Sequence, residues 1–394
     1  MKTTLLLFLL LTPSLLSAKA RPYPIVDTGV KECYSDSDII KQPRAGQPFA
    51  GQDACYKGHQ PAYTDHQNGT ITDRVTGLMW AKDMGEMIAF DDAPEKAKQC
   101  RLGGYRDWRV PTIKELYSLI DFNGRCMGQR SIKMFINTQY FNQPKGDTSQ
   151  GEREIDAQTW SATEYVGKTM YGDRTVFGVN FVDGRIKGYP VFNKRRHSPS
   201  LKYLRLVRGN KHYGKNKFKN NGDGTISDYA TGLMWQQADD GKARNWQDAL
   251  AYAEALTLAG KSDWRLPNAK ELQSIVDYSR STQTTKSAAI NAEFKTTSIE
   301  DWSGKKGNYP YFWTSTTHLD GPNPYSGACY FAFGDAYGVM NGVLLDVHGA
   351  GCQRSDPKAG SPADYPQSHG PQGDVRYMLN YVRCVRDIKP SDKK

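Results

Sequence analysis

Apolar residues recur along this chain in two patterns, and each pattern occurs twice. The first is helical. In DWRVPTIKELYSLID (107–121) Leu116, Leu119 and Ile120 fall on one face of a helix, and in DWRLPNAKELQSIVD (263–277) Leu272, Ile275 and Val276 do the same. A proline precedes each helix, then a capping residue: Thr112 three positions before Glu115, and Asn268 three before Glu271. In that spacing the cap oxygen accepts the glutamate N–H while the glutamate reaches back to the cap N–H. The second pattern is alternation. YTDHQNGTITDRVTGLMW (63–80) and FKNNGDGTISDYATGLMW (218–235) each predict a hairpin, with a Gly-containing turn, a TIT or TIS strand and a Thr-Gly-Leu-Met-Trp strand. Further helices are expected around 91–100 and 245–259, the latter with Trp246, Leu250, Ala253 and Leu256 on one face. Further strands are expected over 176–183 and 329–335, with closing strands YLRLVR (203–208) and YVRCVR (381–386).

The same elements in the same order predict a duplicated fold. The expected architecture is α+β: two tandem domains, 63–209 and 217–387, joined by a linker at 210–216, each a small mostly antiparallel sheet with two helices. Six of the eight tryptophans form the pairs Trp80 and Trp235, Trp108 and Trp264, Trp160 and Trp313. Shared position predicts shared core packing over exposed sugar-stacking platforms. The two closing strands lie further apart than the other pairs, so the second copy carries an insertion, expected as a long surface loop in the Gly- and Pro-rich stretch 349–373.

The 394 residues leave two segments ahead of the copies. Residues 1–20 combine Lys2, the apolar run LLLFLLL and Ser17-Ala18-Lys19-Ala20, the layout of a cleaved signal peptide, which predicts a secreted or periplasmic protein. That run is too short to span a bilayer and no later stretch would, so no transmembrane segment is expected. Residues 21–62, rich in Pro, Gly and polar residues, predict an N-terminal arm stapled by Cys33 and Cys55. Seven cysteines in an oxidising compartment predict pairing, with one thiol left over. None is spaced as CxxC, which argues against a zinc knuckle or a thioredoxin-type redox site.

Charge changes the picture most. The formal net charge is +10, and twelve Lys or Arg with no Asp or Glu fall between Arg185 and Lys219. Tyr189, Phe192, Tyr203, Tyr213 and Phe218 interleave with them. Such a field attracts polyanions, with arginine suited to planar anions and lysine acting as a point charge. Arg205 and Arg208 recur as Arg383 and Arg386 in the second copy and are read as structural. The candidate polyanion-binding residues are therefore Arg185, Lys187, Lys194, Arg195, Arg196, Lys202, Lys211 and Lys215. The competing reading is a linker whose charges serve only solubility. A calcium loop around Gly224 would need acids where Lys219 and Ala230 stand, so Asn-Gly-Asp-Gly predicts a hairpin turn and no metal ligand is assigned. Glu115 and Asp121 recur as Glu271 and Asp277, but six residues apart on a helix they point to different sides. No histidine has a counterpart in the other copy, and HExxH and Gly-x-Ser-x-Gly are missing. No catalytic residue, no cofactor and no nucleic-acid partner are expected.

GTITDRVTGLMW, GGYRDWRVPTIKEL and YLRLVR in the first copy, with NGDGTISDYATGLMW, SDWRLPNAKEL and YVRCVR in the second, resemble the Lcl C-terminal domain family, named for the C-terminal domain of a bacterial collagen-like adhesin. The leader VDTGVKECYSD…FAGQDACY resembles the arm that precedes such domains. The Arg-Leu-Pro element and closing strand are also similar to C-type-lectin-like folds, which suggests two C-type-lectin-like domains. The resemblance implies an extracytoplasmic, non-catalytic binding protein for acidic or sulfated polysaccharide, acting in adhesion. Alternatives are a structural subunit of a cell-envelope assembly and a carbohydrate-active enzyme. In the family pattern a cysteine closing the first helix pairs with one in the last strand. Here the first copy has Cys100 but Leu206, and the second has Cys384 but no helix cysteine before Ser262. Two pairings follow: Cys100–Cys126 with Cys329–Cys352, leaving Cys384 free, or Cys100–Cys384 through exchanged closing strands. Cys33–Cys55 is common to both.

Overall fold

The structure is a computed structural model that describes residues 21–127 and 131–392; the expected signal peptide, 1–20, lies outside the described residues. Each copy opens with the expected hairpin. Tyr63–Asp65, Thr70–Asp73 and Leu78–Ala81 form an antiparallel sheet that Val207–Gly209 completes, with Val207 opposite Trp80. Phe218–Asn220, Thr225–Asp228 and Leu233–Gln236 repeat it, completed by Val385–Asp387 with Val385 opposite Trp235. The sequence Asp-x-x-Thr-Gly sets the second turn of each. Asp73 Oδ1 accepts the Val75 N–H (2.8 Å) and Asp228 Oδ1 the Ala230 N–H (3.0 Å). Gly77 and Gly232 hold φ of 70° and 79°, a region closed to most side chains. In Asn-Gly-Asp-Gly, Asp223 Oδ1 accepts the Thr225 N–H (3.1 Å), which makes it the expected hairpin turn.

The helices are Ala93–Gln99 and Ile113–Tyr117 in the first copy, Trp246–Ala255 and Ala269–Ser274 in the second. Both capping boxes form. The second helix of each copy ends earlier than its apolar pattern. Ser118 and Ser274 donate their hydroxyls to the carbonyls of Glu115 (2.7 Å) and Glu271 (2.6 Å), a local bond that competes with continued helix. Leu119, Ile120, Ile275 and Val276 nonetheless stay buried. All six paired tryptophans are core residues. The recurring arginines are built in. Arg205 donates to the carbonyls of Ala81, Lys82 and Asn142, Arg383 to those of Gln236, Gln237 and Lys295. Arg208 pairs with Asp107 and Arg386 with Asp263.

The two copies share a sheet. Six antiparallel strands run in the order Tyr311–Thr317, Gly327–Ala332, Gln353–Pro357, Arg185–Pro190, Thr175–Asn180, Gln158–Glu164. Three come from each copy, and Ile186 opposite Gln353 is the seam. One hydrophobic core runs through both copies, from Ile113 and Phe177 to Ile275 and Phe331. The stretch expected as linker is wedged in: Tyr213 is buried, and Asn216 bonds Asp228. The insertion is not one surface loop at 349–373. Gln353–Pro357 is the second copy's seam strand, and the added chain comes before and after it. Tyr337–Met340 and Val343–Asp346 join Ser368–His369 and Asp374–Val375 in a separate four-stranded sheet.

The structure bears on the cysteine pairings. Each closing strand pairs within its own copy, so the exchange that Cys100–Cys384 requires does not occur. Cys100 packs against the smaller apolar cluster that holds Leu206 and Trp108, whereas Cys126 belongs to the large shared core and bonds the second copy's Leu319 backbone. Cys329 lies opposite Ser355, and the Gln353 amide reaches its sulfur (3.3 Å). Cys352 precedes Gln353 and therefore faces the other side of the sheet, out of bridging reach of Cys329. The sulfurs of Cys33 and Cys55 are 3.9 Å apart, unbonded. Non-reducing peptide mapping of the mature protein is expected to yield a Cys33–Cys55 peptide and none linking Cys100 to Cys126 or Cys384, or Cys329 to Cys352.

Candidate functional site at the join of the copies

The repeated Trp-Arg-x-Pro-cap element places two equivalent clefts where the copies meet. Its arginine reaches the capping glutamate with both arms of the guanidinium. Arg109 donates to Glu115 at 2.6 and 2.5 Å, and Arg265 to Glu271 at 2.5 and 2.7 Å. The carboxylate thus satisfies the helix cap and an arginine together. The lysine next to the glutamate crosses to the other copy. Lys114 Nζ donates to the Ser274 carbonyl (2.6 Å), and Lys270 Nζ to the Ser118 carbonyl (2.9 Å). These are the same bond made twice about a local two-fold axis, each lysine holding the carbonyl end of the opposite helix. Burial pushes both ammonium groups down to about 8. Lys114 and Lys270 were missed from sequence, although their recurrence beside the capping glutamates was a visible signal.

The segments ahead of each copy strap the opposite one. Arg21 and the Tyr23 N–H bond the carbonyls of Thr231 (2.9 Å) and Ala230 (3.3 Å); Asn210 bonds those of Thr76 (2.7 Å) and Gly77 (3.3 Å). The Tyr23 and Tyr213 rings meet edge to face, 4.5 Å apart. From there the straps differ. The first continues as the arm and covers the second copy's cleft. Tyr56 lies under the Arg265 guanidinium at 5.2 Å, and buried Asp53, its carboxyl pushed up by burial to about 7, accepts from Thr316 (2.6 Å). What remains is a pocket of about 370 Å³ lined by Asp27, Tyr56, His59, Arg265 and Glu271. The second strap is short. The first copy's cleft measures about 670 Å³ and is lined by Arg109, Lys114, Thr163, Lys211, Lys215 and Asp277. The Arg109 side chain is 28% exposed, that of Arg265 only 9%.

The eight candidate cations do not form one patch. Lys211 and Lys215 are exposed at the rim of the larger cleft. Lys194, Arg195 and Arg196 are exposed around the turn that joins Phe192–Asn193 to Ser198–Pro199, where Lys194 pairs with Asp173 (2.6 Å). Arg185 is bound by Asp183 and Asp320, and Lys187 is half-buried on the same strand. Lys202 lies over the Tyr189 ring at 5.5 Å. Of the eight, Arg185 and Lys194 pair with carboxylates; Lys187, Arg195, Arg196, Lys202, Lys211 and Lys215 make no ion pair among the described residues. No group of three or more His, Cys, Asp or Glu among the described residues is arranged to hold a metal ion.

The body is duplicated and mostly antiparallel, with few helices and a cation-rimmed cleft on its surface. The family is an explicit one: the model for the Lcl C-terminal domain matches residues 69–208 and 224–343, roughly two thirds of the chain in two copies, and the chain belongs to that family. It is an adhesin-type binding-domain family and not a known enzyme family. No curated protein and no solved structure matches the chain. Among the described residues no helix is long and apolar enough to cross a membrane.

Proposed function

We propose that the chain is a secreted or periplasmic, non-catalytic adhesion protein that binds acidic or sulfated polysaccharide, with the first copy's open cleft as its principal site. One observation carries this reading. The second copy's version of the cleft is covered by the chain's own arm, while the first copy's is left larger and rimmed by Lys211 and Lys215, both exposed and without carboxylate partners. Lysines so placed are free to neutralise sulfate or carboxylate groups along a polymer, and half-buried Tyr278 adds aromatic surface nearby. Arg195 and Arg196 stand apart from this rim, on the exposed turn between Phe192–Asn193 and Ser198–Pro199. Arg185, already matched by two aspartates, contributes little net charge.

Lys211→Ala with Lys215→Ala is expected to elute from heparin at lower salt than the parent. Its affinity should also depend less steeply on salt, because fewer counterions are released on binding, by the relation established for nucleic acids. The melting midpoint should not move, since neither side chain is packed. Unchanged elution would contradict the reading.

A further inference from the structure

We propose that the outer face of the seam between the two half-sheets is a second binding site, for a small sugar acid carrying one carboxylate and neighbouring hydroxyl groups. A cleft of about 800 Å³ lies there, between the central strands and the second copy's added segment around His369, Gln372 and Asp374. Strand alternation explains what it presents. Ile186 and Gln353 pair at the seam and face the core, so Arg185, Lys187 and Tyr189 on one strand, and Arg354 and Asp356 on the other, turn outward into the cleft. The site exists only because the copies are joined, since each supplies one of the two strands.

Buried polar atoms without a hydrogen-bond partner gather in this cleft. The Tyr189 hydroxyl, Arg185 Nε and Arg354 Nη1 are unmatched donors; Asp183 Oδ1 and Asp356 Oδ1 are unmatched acceptors. Buried polar atoms are nearly always paired, so five unpaired ones converging from two copies point to a ligand that pairs them. Lys187, lowered by burial to about 7, takes on its full charge when an anion sits beside it. Arg185 is matched by Asp183 and Asp320, and Arg354 by Asp374, whereas Lys187 makes no ion pair among the described residues.

The mixture selects the ligand chemistry. Sulfate or phosphate only accepts hydrogen bonds, and would place its charge against the open oxygens of Asp183 and Asp356. A hydroxyl group gives one hydrogen bond and accepts others, so a row of hydroxyls suits donors and acceptors set side by side. One carboxylate on the same molecule then answers Lys187. This set differs from the Lys211 and Lys215 rim, and the inference stands whether or not the chain binds a polymer.

Calorimetric titration of the mature chain with D-galacturonate and D-glucuronate tests it, with D-galactose and sulfate as controls. At least one sugar acid should bind, with galactose about tenfold or more weaker, because the site would then keep an unanswered cation. Sulfate should show no binding at the same concentration. Tyr189→Phe removes only a partnerless hydroxyl. It should weaken the sugar acid several-fold while leaving the melting midpoint unchanged, which separates a binding role from a structural one. Lys187→Gln should erase the preference for the acid over the neutral sugar. Absence of binding by either acid, equal binding of galactose, sulfate competing at the same site, or unaltered affinity in both variants would each overturn the proposal. Loss of binding in Lys211→Ala with Lys215→Ala but not in these variants would overturn it too, and would assign the ligand to the other cleft.

Discussion

Glu271→Ala is expected to lower stability by about 3–5 kcal/mol, the usual result of removing one partner from a buried ion pair. Glu271 is 6% exposed, and its carboxylate accepts from both arms of Arg265 and from the Asn268 cap N–H at 2.9 Å; the bond from its own N–H to the Asn268 side chain is one that alanine keeps. Alanine leaves the Arg265 guanidinium, on a side chain only 9% exposed, with Asp387 at 3.9 Å in place of a bidentate partner. Glu115→Ala makes the same cut in the first copy, but Arg109 opens onto the larger cleft, where water replaces part of what is lost. The first-copy variant is therefore expected to lose less. Denaturant unfolding of both proteins measures the difference; equal losses would contradict the asymmetry of the two clefts.

Lys270→Met carries the second large effect. Its ammonium bonds the Ser118 carbonyl of the first copy and the Asp27 carbonyl of the arm, both at 2.9 Å. Each buried carbonyl left unsatisfied costs roughly 1–3 kcal/mol. Methionine fills the space without replacing either bond, so the cost falls on polar pairing and not on a cavity. Because the bond ties the two copies and the arm together, amide hydrogen exchange should speed up around Ser118 and Asp27 as well as around Lys270. Faster exchange confined to the second copy would show that the reciprocal contact does not couple them.

The caps, hairpins and paired tryptophans could be read from the chain because each is a short-range signal and each was written twice. The shared sheet could not. Its seam strands, RIKGYP and QRSDP, bury polar residues on one face and carry no apolar alternation, so the second reads as loop. The basic stretch was misleading for a related reason. Residues adjacent in sequence between Arg185 and Lys219 separate in space into a seam strand, an exposed hairpin and a strap, and only the last rims the open cleft. Recurrence marks the arginines at 205, 208, 383 and 386 as structural. The same test would have marked Lys114 and Lys270, but nothing in one copy shows that its lysine reaches the other. The cysteines keep only half of the family's bridge in each copy, and the sheet register sets Cys329 and Cys352 on opposite faces.

The most direct test of the account is a hydrogen-exchange footprint of the mature protein with and without a saturating heparin oligosaccharide. Protection is expected at 211–216 and 275–279, the walls of the first copy's cleft, with none around Tyr56 to His59 and 265–271, where the arm covers the equivalent site. Protection of both clefts, or of the second alone, would contradict the claim that the arm leaves one binding cleft open.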